Sequence, residues 1–191
     1  MNVDASIAHL GEKLDEWLGK SLSTFGSQDR LAQGKTLLRG FEIAKELNRV
    51  KADGLTAINT LLSRPNSVSE GELVSSLLNG FEFGAKLADA LHDELLDTDG
   101  ETKVVRLMNE IASRLDATGS GRAILAVLLD HPDARVRASA GAYLLIVNLM
   151  PERVLPVLRE IEEKEKGNSA YFTAHWALLG WELEGKHGKT T

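Results

Sequence analysis

The segment from Leu128 to Leu145, Leu-Leu-Asp-His-Pro-Asp-Ala-Arg-Val-Arg-Ala-Ser-Ala-Gly-Ala-Tyr-Leu-Leu, most constrains the fold, because it encodes a helix end, a capped turn and a second helix. Leu128 and Leu129 close an apolar helix, and Pro132 stops it. Asp133 is placed to accept hydrogen bonds from the first free amides of the next helix, whose Val136, Ala140, Leu144 and Val147 fall on one face. Ala138, Ala140, Gly141 and Ala142 give that helix little bulk on several sides. Neighbours can then approach to the short end of the usual spacing of roughly 8 to 10 Å, as suits an inner helix.

The remaining chain also reads as helical, with no strand pattern. Ile7, Leu10, Leu14, Trp17 and Leu18 form one stripe after Asp4, and Phe25-Gly26-Ser27 breaks it. A longer helix carries Leu31, Leu37, Leu38, Phe41 and Leu47. Asp53 is placed to cap a short helix with Leu55, Ile58, Leu61 and Leu62 that halts at Arg64-Pro65. Ser69 and Glu72 have capping-box spacing and open a helix through Leu73, Leu77, Phe81, Leu87, Leu91 and Leu95. Thr98-Asp99-Gly100 reads as a turn before the stripe Val104, Val105, Met108, Ile111, Leu115, and Gly119-Ser120-Gly121 as a break. Ser120 and Ser169 are expected as caps of later helices, and Pro151 suits the first position of the helix from Glu152, which also contains Pro156. The stripe Phe172, Trp176, Leu179, Leu183 is expected to face the core, leaving Tyr171, His175, Leu178 and Trp181 on other sides.

An echo at an offset of 40 residues links Leu37-Leu38-Arg39-Gly40-Phe41-Glu42 to Leu77-Leu78-Asn79-Gly80-Phe81-Glu82, within the range of helical repeats. Gly40, Gly80 and Gly84 are costly inside helices, which suggests close approach of another backbone. The Asp before the second helix at 133 and the Val136-Arg137 pair resemble a HEAT-type repeat. From about residue 104 to 183, His131-Pro132-Asp133-Ala134-Arg135-Val136-Arg137, then Met150 to Leu158 and a Trp-containing last helix, the chain resembles a small bacterial HEAT-like family of unassigned activity. Similar small helical-repeat proteins are immunity partners in bacterial toxin systems. The resemblance implies an all-α fold, a right-handed stack of antiparallel helical hairpins (an α-solenoid). The expected organisation is an N-terminal helical region over 1–100 with room for an extra repeat pair, a C-terminal repeat domain over 101–184 and a flexible tail over 185–191.

The charge balance bears on partners. The chain has 28 acids and 22 bases, a formal charge of −6. Seven of the acids (Glu82, Asp89, Asp93, Glu94, Asp97, Asp99, Glu101) fall between residues 82 and 101 with one base, Lys86. That stretch reads either as a solvated helix face or as a surface that attracts basic partners and repels phosphate backbones. Chemistry has thinner support. No two of His9, His92, His131, His175 and His187 have helical metal-pair spacing, and there is no cysteine. Asp89, His92, Asp93 and Asp97 could converge on one helix face, where the alternative is a polar surface. Gly119-Ser120-Gly121-Arg122 lacks nucleophile-elbow and phosphate-loop patterns, and His131-Pro132-Asp133 is accounted for by capping and helix arrest. No cofactor and no metal are expected. The amino terminus shows no secretory signal pattern and no apolar run reaches membrane-spanning length, so the expected location is the cytoplasm.

These readings lead to a non-enzymatic protein-binding module, specifically an immunity protein that neutralises a toxin domain with a basic surface. Asp89, Asp93, Glu94 and Asp97 are the expected steering residues, and Tyr171, His175 and Trp181 the expected anchors, with Trp181 alternatively covering the end of the stack. A regulatory or assembly scaffold is one alternative. Another is a HEAT-like nucleic-acid binder of the DNA-repair kind, with Arg106, Arg114, Arg122, Arg135 and Arg137 on one surface.

Overall fold

The computed structural model describes the backbone of residues 3–21, 30–63, 69–93, 95–166 and 168–187, and the side chains of 5–14, 16, 44–63, 69–92, 95–166 and 168–185. Outside the described residues lie the expected break at Phe25-Gly26-Ser27, the halt at Arg64-Pro65, Glu94, and the side chains of Trp17, Leu18, Leu31, Leu37, Leu38, Phe41 and Asp93. All regular structure among the described residues is helical: α1 Val3–Ser21, α2 Arg30–Leu62, α3 Glu70–Asp93, α4 Thr98–Asp116, α5 Gly121–Val127, α6 Ala134–Ile146, α7 Pro151–Lys164 and α8 Ser169–His187. A 3-10 turn, Leu128–Asp130, joins α5 to the His131-Pro132 corner. None of these helices is long and apolar enough to cross a membrane. Gly185 lies within α8, so the helix continues past the expected start of the tail.

One continuous core runs from Ile7 in α1 through Leu47, Ile58, Phe81, Leu87, Ile111 and Leu144 to Leu178 in α8, and it crosses residue 100 through the extensive packing of α3 on α4. Helix α6 is central to the C-terminal half, touching α3, α7 and α8. Its small residues explain this. Ala138 and Ala140 are fully buried, and a Cβ at Gly141 would lie 2.8 Å from Leu158 Cδ2, so α7 packs where a side chain would otherwise stand. At Gly80 and Gly84 the same space is taken by Leu61 and Met108 side chains at 2.7 Å, not by another backbone as the sequence suggests.

Several helix ends follow the sequence signals. Ser69 and Glu72 form the capping box, with the Ser69 amide donating to Glu72 Oε2 at 3.2 Å and the Glu72 amide to Ser69 Oγ at 3.4 Å. Asp133 Oδ1 accepts from the Arg135 amide at 2.9 Å, and Pro151 occupies the first turn of α7. Others differ. Asp53 does not cap, because α2 continues through it, and Gly54 there lies against the Phe83 ring. Thr98-Asp99-Gly100 is the first turn of α4, set by Asp97, whose Oδ1 accepts from the Gly100 amide at 2.9 Å. Ser120 stands at the start of α5 without capping it and lies 3.5 Å from Glu70 Oε1. The cap of α8 is Asn168, whose Oδ1 accepts from the Tyr171 amide at 3.0 Å, because the Ser169 hydroxyl is turned inward to Asp89.

Between α3 and α4, Leu96 adopts φ 50° with its side chain 80% exposed. A leucine in the left-handed region costs about 1–2 kcal/mol, and a side chain this exposed gains little packing to offset it. Leu96→Gly is expected to raise stability by roughly 0.5–1 kcal/mol by chemical denaturation, the larger backbone freedom of the unfolded glycine taking back part of the gain.

Candidate functional site

The last helix sets the site. Its inner stripe is Ala170, Ala174 and Leu178, with Trp181 packed on the core, and these small residues let α8 lie close to α6. The bulky residues expected to face inward are turned outward instead: Phe172 is 39% and Trp176 64% exposed, and Leu183 is also exposed. Apolar side chains surround α8 on all sides, so its periodicity alone assigns no face, and the close approach to α6 selects the alanine stripe.

Outward-facing rings form a run. His92 on α3 lies 5.6 Å from Phe172, Phe172 packs edge-on to Tyr171, Tyr171 stacks on His175 at 5.7 Å, and His175 meets Trp176 edge-on at 5.6 Å. Two carboxylates hold this run from neighbouring helices. His92 Nδ1 is 3.0 Å from Glu101 Oε2 on α4, and His175 Nδ1 is 2.7 Å from Glu162 Oε1 on α7. The His92 and His175 rings are thereby held by hydrogen bonds to neighbouring helices.

Beside this run, α4, α6 and α8 enclose a groove of about 510 Å³. Val105, Ile146, Phe172, Trp176 and Trp181 supply its apolar surface, and Ile146 is 72% exposed. Glu101 and Glu184 also line it, and among the described residues neither lysine nor arginine does. A smaller cavity shares Glu101, Val105, Ala142, Ile146, Ser169 and Thr173 with the groove and leads inward to a polar cluster. There Arg135 forks between two carboxylates, with Nη1 3.0 Å from Asp89 Oδ2 and Nη2 2.7 Å from Asp133 Oδ2, while the buried Ser169 hydroxyl donates to Asp89. Burial pushes the Asp133 carboxyl up, but the hydrogen bond and charge of Arg135 outweigh it and hold Asp133 below the usual carboxylate range. Burial likewise opposes the Arg135 charge, and the two aspartates raise its affinity for the proton nonetheless.

The expected steering set is therefore not one exposed face. Asp89 is buried and ion-paired. Asp97 is half-buried, and its Lys51 hydrogen bond at 2.7 Å, then the Gly100 amide, hold its carboxyl below the ordinary value. The Asp93 side chain and Glu94 lie outside the described residues. Of the expected anchors, Trp181 lines the groove, whereas Tyr171 and His175 are half-buried members of the ring run. The sequence reading missed Trp176, Phe172, Ile146 and Val105 as surface residues. Ala170, Ala174 and Ala177, spaced at three and four residues, were the available signal for the inner face. The described residues, which do not include the Asp93 side chain, contain no group of three or more His, Cys, Asp or Glu side chains able to hold a metal ion.

Four of the five arginines considered for a nucleic-acid surface are engaged internally. Arg114 donates to the Leu62 carbonyl, Arg122 to Asp116, Arg135 to the two aspartates, and Arg137 to the His131 and Pro132 carbonyls. Compared with protein-family models, curated proteins and solved structures, the chain matches none.

Proposed function

We propose that the protein is a non-catalytic protein-binding module, and that its docking site is the groove between α4, α6 and α8. The observation that carries this is the exposure of Trp176, Phe172 and Ile146 around a preformed groove whose charged lining is acidic. Aromatic residues on a rigid helix bury large area with few rotatable bonds, which makes them effective anchors. The acidic lining and the net charge of −6 favour a partner with a basic surface, since complementary fields speed encounter and fix orientation.

The partner that fits this reading is a toxin domain, and the protein is its immunity factor. Support comes from the HEAT-like order of the Asp133-capped turn, the Pro151 helix and the Trp-bearing last helix. We read the stack of packed helices as a short right-handed solenoid of the same kind.

Co-expression with the product of the neighbouring gene tests the reading. Rescue of growth from that product and co-purification of a complex are expected. A neighbouring product that is neither toxic nor bound would overturn it. Trp176→Ala is expected to leave stability within about 0.5 kcal/mol, because the side chain is largely exposed, while weakening the complex about 30-fold. Calorimetry on the free protein and the complex reads both.

A further inference from the structure

We infer that the groove receives a single cationic side chain, lysine or arginine, from an otherwise apolar segment of the partner, and that Gly180 is the point over which it enters. The inference rests on the docking reading above and names the chemistry that the groove selects.

Three observations converge on this point. Gly180 lies in the interior of α8 and lines the groove, yet a Cβ built on it meets nothing within 4 Å. By contrast, Gly54, Gly80, Gly84 and Gly141 each face a side-chain atom at 2.7–2.8 Å, so internal packing explains those glycines; Gly11, Gly71 and Gly185 are as open as Gly180, and of these four Gly180 is the one that lines the groove. A glycine in a helix interior is unfavourable relative to alanine, and the space it leaves here adjoins the groove.

The residues one turn away on either side supply the complementary chemistry. Trp176 lies four residues before Gly180 and Glu184 four residues after, each about 6 Å along the axis at 1.5 Å rise per residue. A long aliphatic stem crossing Gly180 therefore has an indole face on one side and a carboxylate on the other. Glu101 faces the same groove from α4, held by His92. Aromatic faces and carboxylates together favour a cation, and among the described residues no lysine or arginine in the lining competes for them. A purely apolar guest would leave both glutamates facing hydrocarbon.

The test uses a 14-residue amphipathic Leu/Ser helical peptide with one central arginine, and its Lys, Leu and Glu versions, titrated against the full chain by tryptophan fluorescence and calorimetry. The Arg and Lys peptides are expected to bind at least tenfold more tightly than the Leu peptide, and the Glu peptide more weakly than all. Gly180→Ala is expected to raise the melting temperature by roughly 2–4 °C for a chain of this size, through helix propensity, while weakening the Arg peptide at least fivefold. Glu184→Gln should remove most of the preference for Arg over Leu without moving the melting temperature. Equal binding of the Arg and Leu peptides, unchanged binding by Gly180→Ala, or no binding of any peptide at 1 mM, taken as roughly −4 kcal/mol, overturns the inference. Tight Leu-peptide binding abolished by Trp176→Ala would overturn the cation while leaving the docking groove standing. A complex with the co-purified partner that keeps its wild-type affinity in Trp176→Ala would remove the groove itself.

Discussion

Replacement of Arg135 by alanine is expected to lower stability by about 3 kcal/mol, the low end for breaking a buried ion pair because a quarter of the arginine side chain remains exposed. Arg135 forks between Asp133, the cap of its own helix, and Asp89 on α3, whose side chain is only 10% exposed. Removing the guanidinium leaves Asp89 facing the Ser169 hydroxyl with a charge that water barely reaches. The expected fall in melting temperature is roughly 6–12 °C at this chain length. The double variant Asp89→Asn with Arg135→Ala removes the stranded charge and leaves the side chain at 135 the same as in the single variant, and it is expected to recover at least about 1 kcal/mol relative to Arg135→Ala. Urea denaturation of the three proteins distinguishes a stranded charge from simple loss of side-chain packing, since packing loss predicts no recovery.

Gly121→Ala is expected to have a comparable effect for a different reason. A Cβ there would lie 1.6 Å from the Leu115 carbonyl oxygen and 2.3 Å from its carbon, with Thr118 Oγ1 at 2.6 Å. Those first two contacts are backbone, so no rotamer change relieves them, and the turn between α4 and α5 must open. Overpacking of this kind costs about 3 kcal/mol. Gly119→Ala in the same turn is the control. Its Cβ would meet only Glu70 Oε1 at 3.4 Å, and stability is expected to change by less than about 0.5 kcal/mol on the same denaturation curve.

Local signals were legible in the sequence where one side chain decides a backbone geometry. Asp133, Pro151 and the Ser69–Glu72 pair each do so within four residues, and each stands where the spacing placed it. The poor bulk of α6 was equally readable, because Ala138, Ala140 and Gly141 leave no other role than close packing. What could not be read depends on distant partners. Ser169 has the composition of a cap, but Asp89, eighty positions away, competes for its hydroxyl and Asn168 takes the capping role. Asp89 itself looks like one acid among seven until Arg135 buries it. The inward face of α8 is the clearest case: large apolar residues on every side satisfy several helical stripes, and only the narrow gap against α6 admits alanine and excludes tryptophan. The candidate site was displaced for that reason. The aromatic residues of the last helix stand out in the sequence, but its periodicity assigns Trp176 and Phe172 to the core, and they are exposed.

The 40-residue echo divides in the same way. Leu47 and Leu87 are both buried, and Leu55 and Leu95 both half-buried, as equivalent positions would be. Yet Leu55 lies inside the uninterrupted α2 and Leu95 lies beyond the end of α3, so the two stretches end differently. Hydrophobic spacing carries over between them, and helix boundaries do not.

Hydrogen–deuterium exchange on the complex co-purified with the neighbouring gene product tests most directly whether the partner sits in the groove. Slower exchange is predicted at the ends of α4 and α8 that line it, around residues 101–109 and 172–184, with α1 and α5 unchanged. Protection confined to α1, α2 or α5, with α8 exchanging as in the free protein, would contradict the assignment of the docking site.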